Sequence, residues 1–254
     1  MGETTGISWT DHTWNPWHGC IKISPGCKLC YMYREKERYG QNPFVPVRSK
    51  TTFNAPLKWS SGRVFTCSWS DFFIEQADDW REEAWDIIRR TPHLSYQILT
   101  KRPERMSSHL PNDWGRGWSH VWLGVSVENQ HYADERIPIL CRTPAAIRFL
   151  SIEPQLEEVW IEPTLLGQDS CGRPDWVICG GESGHGARPF DIRWADSLRQ
   201  QCKRAEVAFF LKQFGSRPNS GGLPIHITGA GTNPAEWPEY LRVQEFPEER
   251  KRIA

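Results

Sequence analysis

The sequence lacks several things, and each absence removes a class of protein. It has no excess charge, because 31 basic side chains face 31 acidic ones. A protein that grips duplex DNA through a global positive field is therefore excluded, although a local basic groove is not. No apolar run approaches the roughly 18 residues that a membrane helix needs. Residues 1–13 are polar and carry no apolar core of a secretory leader, so a cytoplasmic location is expected. No repeat of fixed period and no low-complexity tract is present. With 38% hydrophobic and 12% aromatic residues, disorder is excluded as well. What remains is a globular chain of 254 residues with no membrane partner, enough for one or two domains or one α/β barrel.

Two residue types are abundant. The 14 tryptophans outnumber 11 phenylalanines and 6 tyrosines. Tryptophan supplies rigid surface for a core, for stacking on bases or for lining a pocket, and core packing is the default reading. Eight cysteines, with no secretory leader, read as thiols or metal ligands rather than disulfides. Cys20, Cys27 and Cys30 crowd together, whereas Cys67, Cys141, Cys171, Cys179 and Cys202 are scattered singly. Cys67 and Cys179 sit in strand-like runs and read as buried thiols, so a second metal centre is not expected.

From residue 63 onward, short β-type runs alternate with helical stretches. The runs are 64–73 (VFTCSWSDFF), 94–100 (LSYQILT), 121–127 (VWLGVSV), 146–152 (AIRFLSI), 176–180 (WVICG) and 207–211 (VAFFL). Helical spacing fills 78–91, 103–110, 132–140 and 194–205. Residues 7–14 supply a further strand, with 30–39 as its helix, for about six to seven strands in all. Such alternation requires crossovers and hence a parallel sheet. Residues 157–174 read as a long loop, 216–254 as a loop-rich tail dense in Gly and Pro, and the terminal EERKR as a solvated face.

Ligands of parallel α/β proteins bind at the carboxyl ends of strands. Here those ends are polar. They present Ser68, Ser70 and Asp71; Thr100, Lys101 and Arg102; Ser126, Glu128 and Asn129; Ser151 and Glu153; Glu182 and Ser183; Lys212 and Gln213. One such residue is ordinarily a helix cap, but six ends in register predict a lined site. Gly180 and Gly181, lacking a Cβ, allow backbone to approach a ligand closely, although two glycines also make an ordinary turn. A purely structural alternative is a ring of ion pairs, with Glu128, Glu153 and Glu182 facing Lys101, Arg102 and Lys212.

The sharpest feature is Cys20-x6-Cys27-x2-Cys30-Tyr31, within WNPWHGCIKISPGCKLCYMYR. Three thiolates can hold a [4Fe–4S] cluster and leave its fourth iron open. They can equally hold zinc with His18 as fourth ligand, in a closed structural site. Spacing alone does not separate the two.

A three-cysteine loop after a first strand, then an aromatic residue and a run of βα units, resembles the radical S-adenosylmethionine superfamily. The first interval here is six residues, where that superfamily most often has three. The motifs TWNPWHGC, SPGCKLCY, LTKRPERM, VWLGVSVEN, ADERIP, SIEP, GGESG, ARP and FFLKQFG resemble a phage- and prophage-encoded family of unknown function. They cover roughly residues 6–215. That family usually has a small residue after Tyr31, where this chain has Met32.

The superfamily resemblance implies a partial (β/α) TIM-like barrel over 1–215, with a cluster loop at 20–30 and the tail 216–254 packed on it. It implies a [4Fe–4S] cluster on Cys20, Cys27 and Cys30, S-adenosylmethionine as cofactor and an external electron donor. It places Tyr31 near the adenine, Ser68, Ser70 and Asp71 near the methionine amino group, and Ser126 and Glu128 at the ribose. Gly180 and Gly181 would line the cofactor site. Lys101, Arg102, Glu153, Glu182 and Lys212 remain for the methionine carboxylate or for chemistry on the substrate, with Lys101, Glu153 and Glu182 as the catalytic candidates.

Three functions follow as expectations. The first is a radical enzyme acting on a nucleic-acid base, served by Lys101, Arg102, Arg105, Arg188 and the tryptophans. The second is the same chemistry on a small molecule or peptide. The third is a zinc-stapled phage binding module without catalysis.

Overall fold

A computed structural model describes residues 5–168 and 172–247. Its strands are β1 (His12–Trp14), β2 (Trp17–His18), β3 (Val47–Arg48), β4 (Gly62–Thr66), β5 (Leu94–Thr100), β6 (Val121–Ser126), β7 (Ile147–Ile152), β8 (Trp176–Gly180), β9 (Phe190–Asp191), β10 (Ala208–Gln213), β11 (Pro218–Ser220) and β12 (Leu223–Pro224). Its α-helices are α1 (Tyr31–Arg38), α2 (Asp78–Arg90), α3 (Met106–His109), α4 (Gln130–Arg142), α5 (Glu162–Leu165) and α6 (Ile192–Arg204).

Seven strands form one sheet in the order β1-β4-β5-β6-β7-β8-β10. The pairs β1–β4, β4–β5, β7–β8 and β8–β10 are parallel. The chain is an α/β protein. Two small sheets, β2-β3 and β12-β11-β9, accompany the large one. By compactness the chain divides into two units. The first holds the residues up to Gly124 with Thr143–Ala146, and the second holds Val125–Arg142 and the residues from Ile147 on. Residues 216–247 fall in the second unit.

The strands form where apolar runs are covered on both faces. Every residue of VWLGVS in β6 and of WVICG in β8 is buried, as parallel strands sandwiched between layers require. Helix α2 buries Ala84, Trp85, Ile87 and Ile88, while Asp78 and Asp79 open it and Arg89 and Arg90 close it. Those charges oppose the helix dipole at both ends. Asp191 caps α6 by accepting from the Arg193 backbone N–H.

Tryptophan fills both cores. In the first unit Trp85 packs within 4.9–5.8 Å of Phe72, Trp114 and Trp118. In the second, Trp176 lies against Phe149, Phe210 and Phe246. Eight tryptophans are buried, so packing accounts for them.

The elements differ from the sequence pattern where local contacts win. The run 64–73 stops as strand at Thr66, because Cys67 turns the chain at φ 58°. The run 7–14 is strand only over its last three residues. Residues 103–110 split into a 3-10 turn and the four-residue α3. Within 157–174 the short helix α5 forms, and Cys171 lies outside the described residues, as does EERKR. The Gly- and Pro-rich tail contributes β11 and β12, and its residues 243–245 bond the backbone of Phe209 and Leu211. Among the described residues, no helix is long and apolar enough to cross a membrane.

Gly181 shows how tightly the second unit closes after β8. A Cβ there would lie 2.2 Å from the Phe214 carbonyl oxygen and 2.8 Å from Phe190 Cβ, and neither neighbour is a flexible tip. At Gly180 the nearest atoms would be 3.4–3.5 Å away, ordinary contact. Gly181→Ala is therefore expected to destabilise the fold by about 2–3 kcal/mol, as overpacking does, with Gly180→Ala costing far less. Urea denaturation of both variants tests this, and coincident midpoints would contradict it.

Candidate functional site

The first unit concentrates its chemistry where the chain leaves β1, passes through β2 and enters α1. Asn15, just past β1, is buried, and its Oδ1 accepts from the Trp69 backbone N–H at 2.8 Å. Its Nδ2 donates to Ser68 Oγ at 2.9 Å. This contact explains the positive-φ turn at Cys67: the chain must double back to bring Ser68 and Trp69 onto Asn15. The sequence reading passed over Asn15, although it stands between two tryptophans in TWNPW, directly after a strand.

Gly19 comes next, at φ 98°, where a Cβ would meet the Val45 carbonyl oxygen at 2.5 Å. Only glycine fits that approach. Its N–H donates to Trp69 O, and its carbonyl accepts from Ser70 Oγ at 2.6 Å. Ser70 thus fastens the start of the cysteine loop. Cys20 follows, its N–H bonded to Pro43 O and its carbonyl accepting the Tyr33 hydroxyl at 2.8 Å.

A 3-10 turn, Pro25–Cys27, carries the second thiol, with Ser24 Oγ 3.5 Å from Cys27 Sγ. Cys30 is the residue that caps α1. Tyr31, the first residue of α1, is exposed and donates its hydroxyl to Ser68 O at 2.7 Å. None of the three cysteines is in a disulfide, and Cys20 and Cys30 are half-buried.

One carboxylate organises what lies beside the loop. Asp71 is buried and accepts four hydrogen bonds. Its Oδ1 takes Phe73 N–H at 2.9 Å and Thr100 Oγ1 at 2.6 Å. Its Oδ2 takes Lys101 N–H at 2.8 Å and Arg102 Nη1 at 3.1 Å. Arg102 then reaches across to the Ile21 carbonyl with Nη2, at 2.9 Å. The Asp71 acceptor positions are thus spent on the protein itself, and Arg102 passes their hold on to the cysteine loop.

The three thiols lie close enough to feel one another's charge. Burial, with Asp71 adding to it, pushes the Cys20 thiol up to about 12 against the pull of Arg102. Burial also raises Cys30, while the Met32 N–H and Lys101 work the other way. Burial first, and then charge on the three cysteines, pushes the Tyr33 hydroxyl well up. Among the described residues, no three His, Cys, Asp or Glu side chains are gathered into a group that could hold a metal ion as they stand. His18 Nδ1 is buried without a hydrogen-bond partner. Burial and the neighbouring Lys36 hold the His18 imidazole below its ordinary range.

The candidates of the second unit are committed to partners of their own. Glu128 is fully buried, and its carboxylate accepts Arg136 Nη1 at 3.0 Å, as does the Ser126 carbonyl at 2.8 Å. Glu153 pairs with Lys212 at 2.5 Å. Glu182 takes a forked pair from Arg188 at 2.6 and 2.9 Å, plus the Arg188 backbone N–H. Of the ion pairs drawn from sequence, Glu153–Lys212 forms, and Glu128 and Glu182 each also hold an arginine six to eight positions further along the chain. Gly180 ends β8 and Gly181 follows it, packed closely on the Phe214 carbonyl and Phe190. Cys179 is a buried thiol that donates to Gln155 Oε1, and Cys67, Cys141 and Cys202 are buried as well.

Removing the Asp71 charge strips Arg102 of the carboxylate it pairs with and leaves a buried guanidinium poorly compensated. Breaking such a pair costs about 3–5 kcal/mol. Asp71→Asn should lower the melting temperature strongly, and Ser70→Ala only slightly. A thermal melt of Asp71→Asn at the wild-type temperature would show that the carboxylate holds nothing.

No curated protein matches the chain, and no solved structure does. Residues 4–244 match a family model described as "Protein of unknown function (DUF5131)", and the chain belongs to that family.

Proposed function

We propose that the chain is a radical S-adenosylmethionine enzyme whose [4Fe–4S] cluster is held by Cys20, Cys27 and Cys30. The observation that carries the reading is three free thiols within eleven residues, on a loop that follows the first parallel strand and ends at a helix N-terminus. A cluster held by those three thiolates would leave one iron open to S-adenosylmethionine and would supply the one-electron chemistry for abstracting hydrogen from a substrate.

The chain's own residues have definable tasks in this reading. Thiolate ligands carry negative charge, and Arg102 and Lys101 already oppose charge on Cys20 and Cys30 respectively. The Met32 N–H faces Cys30, as sulfur ligands at a helix start require. Arg102 fixes the backbone at Ile21, and Tyr33 fixes it at Cys20, so the loop enters the site from a set direction. Loading requires the three sulfurs to draw closer than they stand. Asp71 serves as anchor in this account, and Tyr31, Ser68 and Ser70 remain as groups beside the cofactor. Ser126, Glu128, Gly180 and Gly181 keep the cofactor-lining role only as part of this proposal. Lys101, Glu153, Glu182 and Lys212 are the groups proposed for the methionine carboxylate and the substrate.

A second reading is a structural zinc site with His18 as the fourth ligand. The unpartnered, buried Nδ1 of His18 favours it.

Anaerobic reconstitution with iron and sulfide separates the two. The expected result is about four irons per chain with sulfide-to-iron absorption, retained in His18→Ala and lost in Cys20→Ser, Cys27→Ser and Cys30→Ser. One tightly bound zinc, no iron uptake and loss of that zinc in His18→Ala would establish the closed site instead.

A further inference from the structure

The neutral total charge conceals a strong local imbalance. Residues 12–70 contain nine basic side chains and two acidic ones, a net of +7 in a chain that sums to zero. The imbalance stands on the surface: Lys22, Lys28, Arg34, Arg38, Lys50 and Lys58 are all exposed. Lys28, Lys50 and Lys58 have no ion pair among the described residues, and Arg34 and Arg38 reach only Glu35, at 3.9–4.0 Å. Such pairs hold little charge back from solvent.

The same segment displays apolar and aromatic side chains. Phe44 is 52% exposed, Tyr39 65% and Tyr31 43%, and Ile21, Ile23 and Val45 are exposed beside them. Contacts sew these stretches into one face. The Lys22 ammonium lies 4.4 Å above the Tyr33 ring, whose other neighbour is Phe44 at 5.0 Å. Cys20 N–H bonds Pro43 O, and His18 pairs with Val47. The cysteine loop, α1 and residues 43–48 therefore share a single exposed surface.

We propose that this face binds single-stranded nucleic acid, its cations following the phosphates and Phe44, Tyr31 and Tyr39 offering rings for bases. Exposed cations interleaved with aromatic rings match that ligand, because every base has a face to stack and every link a charge to neutralise. An anionic membrane calls for a continuous apolar wedge. Here the exposed apolar groups fall in three short stretches, Ile21 and Ile23, Tyr31 and Tyr39, and Phe44 to Val47, and Lys22, Lys28, Arg34 and Arg38 stand among them along the chain. Three of the four cations expected from sequence stand in ion pairs elsewhere. Arg102, Arg105 and Arg188 are held by Asp71, Asp78 and Glu182. Binding stands on charge and exposure alone; that the bound strand is also the substrate rests on the cluster reading above.

The test is fluorescence anisotropy of a labelled 20-nucleotide oligodeoxythymidine with the full chain across a salt series. Unlabelled duplex, heparin and vesicles containing anionic phospholipid serve as competitors. The expected result is binding that weakens linearly in log salt, with duplex competing at least tenfold less well than single strand. Arg34→Glu/Arg38→Glu/Lys50→Glu should weaken binding by tenfold or more and flatten the salt slope, and Phe44→Ala by about tenfold, both with native melts. No binding overturns the proposal. Equal competition by heparin and duplex with Phe44→Ala unchanged also overturns it, leaving a general polyanion field. Vesicle binding without oligonucleotide binding assigns the face to a membrane surface. Oligonucleotide binding by a protein that takes up no iron keeps this surface and removes the cluster, while iron uptake without binding does the reverse.

Discussion

The Asp71 carboxylate is the point on which the first unit's cysteine loop and strand ends depend, since four donors from two segments meet on its two oxygens. A buried carboxylate is costly unless each lone pair is used, and here the cost is offset by backbone N–H groups, a threonine hydroxyl and a guanidinium. The guanidinium extends the arrangement. By bonding Ile21 O it joins the chain just past β5 to the cysteine loop. Its place after β4 marked Asp71 as a candidate site residue, and its bonds add a structural task, holding Arg102 against the cysteine loop.

Much of the architecture was legible because parallel strands buried on both faces read as plain apolar runs. LSYQILT and WVICG are strands over those residues, and the 78–91 helix differs from α2 by one residue. Strand ends were less legible. The run VFTCSWSDFF has strand composition throughout, yet the buried amide of Asn15, 52 residues before Cys67, turns it at that cysteine. A contact that distant in sequence leaves no local trace.

The candidate site was legible as a set of residue types but not as a set of partners. Charged groups at neighbouring strand ends suggested cross-sheet ion pairs. Glu128 and Glu182 also meet Arg136 and Arg188, which stand closer along the chain and were not foreseen from the strand ends. Summed charge misled in a similar way. A total of zero is an average over a basic segment of 59 residues and an acidic remainder, and only the exposure of Lys22, Lys28 and Arg34 shows which face the difference occupies.

The central claim is that three thiols near Tyr33 hold a cluster with an open iron. The most direct test is electron paramagnetic resonance of the reconstituted, reduced protein, recorded with and without S-adenosylmethionine. The account predicts a [4Fe–4S] signal whose shape changes on adding the sulfonium, because its amino and carboxylate groups bind the open iron. A signal indifferent to S-adenosylmethionine, or a protein that gives none because it holds zinc, would contradict it.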